Sequence, residues 1–165
     1  MVEVTIAIAV LSFCLLTLLA LLPIGLTSTT DSLQKTAAAG IASQIAADVR
    51  ATPMATASTT TPPSPRYGLA LDSASAASTT NTFYLDDTGN PTGANNAAIT
   101  AGAIYKATVV VSGTKIPPTG SGYFQNKPTF VRIIVTWPAQ ADRTAGVIPT
   151  HYQGSYESVT QIDRN

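Results

Sequence analysis

The stretch MVEVTIAIAVLSFCLLTLLALLPIGL, residues 1–26, decides the architecture of this 165-residue chain. Glu3 is the only charged side chain ahead of Asp31, and from Val4 to Leu22 only the hydroxyls of Thr5, Ser12 and Thr17 interrupt an apolar run. At ~1.5 Å rise per residue such a helix nearly spans a hydrocarbon layer of ~30 Å. A helix that is apolar on every face is not the surface helix of a soluble domain. A cleavable secretory signal fits poorly, because its apolar region is shorter, follows positive charge and ends at a small-residue cleavage site. Two residues ask for more than an anchor, Glu3 at one end and Pro23 near the other. Pro23 has no N–H and its ring clashes with the Leu19 carbonyl, and Gly25 adds backbone freedom. Irregular backbone somewhere between Leu16 and Thr27, or a simple kink, is therefore expected.

Beyond Gly25 the pattern changes. Leu33, Ala37, Ile41, Ile45 and Val49 recur every four residues, with Asp31, Lys35, Gln44 and Asp48 between them, which predicts an amphipathic helix. Alanine content and the Asp31/Lys35 pair at i,i+4 support it. Pro53 marks its end, since the residue before a proline is pushed out of the helical region. Residues 1–52 thus read as one helix of roughly 75 Å. Within it, residues 1–26 form an apolar membrane or filament-core segment and residues 27–52 an amphipathic one.

Residues 53–165 read as a β-rich globular domain. It begins with a Ser/Thr/Pro-rich connector, ATPMATASTTTPPSPR, which needs no more than an extended backbone. From Arg66 the period becomes two, and short apolar runs alternate with turn residues. Strands are expected at 67–71, 82–86, 104–112, 130–137 and 156–162. In the fourth, Val131, Ile133, Val135 and Trp137 share one face, the face expected to pack on a helix. The fold class is α+β, a long N-terminal helix with an antiparallel sheet of about four strands.

The inventory excludes much chemistry. The nine basic and nine acidic residues balance, with no basic cluster, so no nucleic-acid surface is expected. Cys14 is the only cysteine, so no intrachain disulfide forms. His151 is the only histidine and reads as a surface loop residue. No Gly-rich phosphate loop, paired metal spacing or Gly-x-Ser-x-Gly is present, so no enzyme and no cofactor are expected. Asp86, Asp87 and Asn90 could offer oxygen atoms to a Ca²⁺ ion, but Asp-Asp-Thr-Gly-Asn is also what a tight turn after a strand looks like. The aromatic residues, Tyr123, Phe124 and Tyr152 among them, are scattered and suit core or interface packing.

The run VEVTIAIAVLSFCLLTLLALLPIGL, followed by an amphipathic helix and a β-rich domain, resembles the type IV pilin and pseudopilin superfamily over about its first thirty residues. The resemblance implies a pilin fold and a structural subunit, held in the bacterial inner membrane by its apolar helix and then polymerised into an extracellular pilus-like filament. It implies as partners other copies of the chain, membrane lipid before assembly, the inner-membrane pilus or secretion machinery and the prepilin peptidase, which removes a basic leader and methylates the new N-terminus. Family members carry a glutamate four residues beyond that terminus. Glu3 lies two residues beyond Met1, so either the start is two residues short of the mature chain or processing differs.

Glu3, with Met1 and Thr5 beside it, becomes the register and assembly site. A carboxylate in an apolar core is costly unless paired, and a neighbouring subunit's N-terminal ammonium is the partner the resemblance implies. The plainer reading places Glu3 in the headgroup region, favourably near the helix N-terminal dipole. Pro23 and Gly25 become the helix-break site. The alternatives are a minor pilin or type II secretion pseudopilin, and an adhesive or ligand-binding domain on a membrane anchor.

Overall fold

The computed structural model describes residues 2–52, 64–69, 78–112, 115–116, 125–126, 129–141 and 153–162. Met1, Ala70, Leu71, Tyr123, Phe124, His151, Tyr152 and the connector's residues 53–63 lie outside the described residues. By internal contacts the chain divides into two compact units, Met1–Gln34 and Lys35–Asn165.

One helix, α1, runs Val2–Ala51. It is uninterrupted at Pro23 in the single chain, which has helical backbone throughout Leu16 to Thr27. A proline removes one N–H from the helical ladder, and the bonds on either side carry the backbone across. Threonine hydroxyls add to this. Thr27 Oγ1 donates to the Pro23 carbonyl at 3.1 Å and Thr29 Oγ1 to the Gly25 carbonyl at 2.8 Å.

The second unit is built on a four-stranded antiparallel sheet of order β1-β2-β5-β6, with β1 Thr79–Leu85, β2 Tyr105–Val111, β5 Thr129–Trp137 and β6 Gly154–Ile162. A two-stranded hairpin, β3 Lys115–Ile116 with β4 Gln125–Asn126, is inserted between β2 and β5. A single 3₁₀ turn, Ala139–Ala141, follows β5. The fold is α+β, compatible with a pilin-like arrangement.

Period-two alternation in the strands meets the helical stripe in one core. Val131, Ile133, Val135 and Trp137 are all buried, as their shared face requires, and the first three pair across to Val111, Val109 and Ala107 of β2. Ala38, Ile41, Ala42, Ile45, Ala46 and Val49 of α1 belong to the same cluster. Alanine at every fourth position lets the helix backbone lie close, while isoleucine and valine fill the remaining space. Tyr105 meets Trp137 edge-on at 6.3 Å. Gly154 sits opposite Trp137 in the β5/β6 register, and a Cβ there would run into the indole ring. Only a residue without a side chain lets β6 begin at that point.

Two sequence expectations are corrected. Leu33, placed on the buried stripe, is 64% exposed, and the stripe begins instead at Ala37, which is partly buried against the core, and Ala38. The expected strand at 67–71 is absent over its described residues 67–69, which form a turn followed by irregular chain. Tyr67 and Leu69 are buried as alternation predicts, but Gly68 takes a φ of +60° and the backbone bonds are local. Gly68 N donates to Ser64 O at 2.9 Å, and Leu69 N donates to the Ser64 hydroxyl at 3.0 Å.

Candidate functional site

The N-terminal unit carries the register residues. Glu3 stands in the first turn of α1, where a carboxylate faces unpaired backbone N–H groups. Thr5, two residues on, donates its hydroxyl to the Val2 carbonyl at 2.8 Å. Around them fifteen large apolar side chains, from Val2 to Leu33, are 55–71% exposed. A shallow groove on this surface is lined by Glu3, Val4, Ala7, Ile8 and Leu11, and a second continues along Val10, Cys14, Leu15 and Leu18. Ala7 and Leu11 line both. The Glu3 carboxylate therefore flanks an apolar notch on the surface of one helix.

Pro23 and Gly25 lie on the same helix, with no break between them. A Cβ on Gly25 would meet no atom within 4 Å, so packing within this chain does not call for glycine there.

The Asp86–Asn90 loop is a closely hydrogen-bonded turn. Asp86 Oδ1 accepts from the Thr88 and Asn90 backbone N–H groups at 2.9 and 2.8 Å and from the Thr88 hydroxyl at 2.7 Å. These donors, the Asn90 N–H foremost, hold the Asp86 carboxyl below its ordinary range. Asn90 Oδ1 accepts from the Arg66 guanidinium at 2.8 Å. Two of the oxygen atoms considered for calcium are thus engaged by N–H and O–H donors. Asp87 follows in the turn, and its charge helps raise the pKa of the buried Tyr105 behind desolvation, the larger cause. Among the described residues no three His, Cys, Asp or Glu side chains gather as a metal site.

The same loop closes one edge of the sheet. Thr92 N donates to Tyr84 O at 2.9 Å, Asn96 N to Thr82 O at 2.7 Å, and Thr82 N to the Asn96 side-chain oxygen at 2.8 Å. These bonds occupy the outer backbone groups of β1 that would otherwise template another strand. Asn96 reaches its place with a φ of 56°, a left-handed conformation that asparagine tolerates. Gly89, at φ +82°, lies against α1, where a Cβ would come within 3.0 Å of Ile41.

One residue that sequence reasoning placed on the polar side of α1 proves to be a clasp. Asp48 is buried, and its two carboxylate oxygens accept the backbone N–H groups of Arg66 and Tyr67 at 3.1 and 3.2 Å. Tyr67 then donates its hydroxyl to Gly89 O at 3.1 Å, and burial, partly offset by Arg66, raises its pKa. Helix, turn and edge-closing loop are joined through these bonds. A signal was present in the sequence, since an acid in the last turn of a helix opposes the dipole and calls for another partner. No protein-family model, curated protein or solved structure matches this chain.

Proposed function

We propose that the chain is a structural subunit of a type IV pilus-like filament. It waits in the inner membrane with α1 in lipid, is processed by the prepilin peptidase, and polymerises outside the cell through the same helix. The observation that carries this reading is the exposure of fifteen large apolar side chains on α1, which water does not tolerate and which lipid or copies of the same helix would cover. A helical polymer uses a head-to-tail contact that does not close, so one apolar surface serves every copy. In the polymer Glu3 pairs with the N-terminal ammonium of a neighbouring subunit, and a subunit out of register strands both charges. Pro23 and Gly25 mark where α1 opens under assembly or load, since the helix has lost one rung there and Gly25 has no packing role in the single chain.

Cryo-electron microscopy of sheared surface material tests the reading. Helical filaments with Glu3 of each copy at the N-terminus of another support it. Normal filament yield from Glu3→Ala removes the register role. A short complex at a secretion machine rather than a filament turns the reading toward a minor pilin or pseudopilin, and a monomer in a detergent micelle toward an anchored binding module.

A further inference from the structure

We infer that residues 27–30 of α1 form a transition segment suited to lipid hydrocarbon as well as to headgroup water, so that the helix fits bilayers of different thickness without drawing Asp31 into the hydrocarbon. The inference rests on the membrane-held stage proposed above. From Val4 to Thr30 no side chain is charged. Those residues span ~40 Å of helix, about 10 Å more than a hydrocarbon layer of ~30 Å. The surplus ends on TSTT, residues 27–30, where four hydroxyl side chains stand in a row.

In hydrocarbon the penalty for a hydroxyl comes mainly from a donor left without an acceptor. Here the hydroxyl donors of Thr27, Thr29, Thr30 and Ser32 are occupied inside the helix. Thr27 donates to Pro23 O at 3.1 Å, Thr29 to Gly25 O at 2.8 Å, and Thr30 to Leu26 O and Thr27 O, each at 2.9 Å. Ser32 donates to Ser28 O at 2.9 Å. Thr5 and Thr17, within the apolar run itself, bond back to Val2 O and Cys14 O in the same way. Side chains that satisfy themselves against their own helix lose little on entering lipid and keep acceptor lone pairs for water. Asp31 and Lys35 cannot do this, and as the first charges they set the limit of immersion. From Leu26 to Thr30 the helix has ~6 Å of travel. The partner of this segment is the boundary between acyl chains and headgroups, at a depth the bilayer chooses.

The test uses the full chain with Cys14→Ser, spin-labelled in one sample at Ser28→Cys and in another at Phe13→Cys. Vesicles of dimyristoleoyl and dierucoyl phosphatidylcholine supply a thin and a thick bilayer. Collision with a water-soluble nickel complex reads exposure. The label at 13 is expected to be shielded in both, and the label at 28 to be several-fold less accessible in the thick bilayer than in the thin one. Equal access at 28 in both, with 13 shielded, overturns the inference and leaves the membrane stage standing. Access at 13 overturns both. Asparagine at positions 27, 29 and 30 brings amide donors that one helix carbonyl cannot satisfy, and is expected to keep position 28 accessible in both bilayers. Threonine-like shielding in that variant overturns the role given to the hydroxyl bonds.

Discussion

Residues 2–33 and 38–49 belong to one helix, yet they solve the hydrophobic problem in opposite ways. The later stretch carries a one-sided stripe of alanine, isoleucine and valine, and this chain's own sheet buries it. The earlier stretch is apolar all round, and its described large apolar side chains are all exposed. Both stretches are helical, so the difference lies in what covers the apolar surface. For the later one it is the sheet, and for the earlier one the proposed function supplies lipid or another copy.

The contrast predicts a hierarchy of effects. Ile45→Ala, in the core, should cost about 2–5 kcal/mol in chemical denaturation of the full chain in detergent. Leu11→Ala or Leu18→Ala, on the exposed half, should leave that midpoint unchanged while lowering filament yield. A large stability loss from Leu11→Ala would break the comparison.

Gly154→Ala comes next. Its Cβ would collide with the Trp137 ring, so a loss of about 1–3 kcal/mol is expected, with altered Trp137 fluorescence. Asp48→Ala should cost about 1–3 kcal/mol by leaving the Arg66 and Tyr67 N–H groups without acceptors, and should speed hydrogen exchange there.

Smaller effects belong to the surface. The Asp86 carboxyl sits below its ordinary range, so its contribution is present above the unfolded value of ~4 and is lost as pH falls through the folded one. Stability measured by urea midpoint should fall on acidification, and Asp86→Ala should flatten some of that slope. Glu157 is likewise lowered, by hydrogen bonds from Arg132 at 2.6 and 3.1 Å, but the pair is solvent-exposed. A double-mutant cycle there should give the smallest coupling, and it should shrink further in high salt.

Much of the fold was legible because apolar periodicity reports directly on which faces avoid water. The switch from an all-round to a one-sided helix, and then to period two, placed α1 and the strands β1, β2, β5 and β6 to within a few residues. Burial of Tyr67 and Leu69 was legible for the same reason. Their backbone was not, because alternation cannot tell a strand from a turn whose N–H groups are taken by Ser64 and Asp48. Nor could it tell where the stripe begins, since Leu33 continues the spacing and yet is exposed.

By itself the sequence determined that one end of this chain is too apolar for water, that a helix carries it, and that an antiparallel sheet follows. These follow from local composition and spacing, which act on a residue whatever lies far along the chain. Tertiary structure alone decided which backbone groups Asp48 clasps, that Asn90 spends its side-chain oxygen on Arg66, that the 86–96 loop seals β1, and that Gly154 must yield to Trp137. Each of those joins groups whose meeting no local pattern records, and a hydrogen bond or a collision between them exists only once the chain has folded them together.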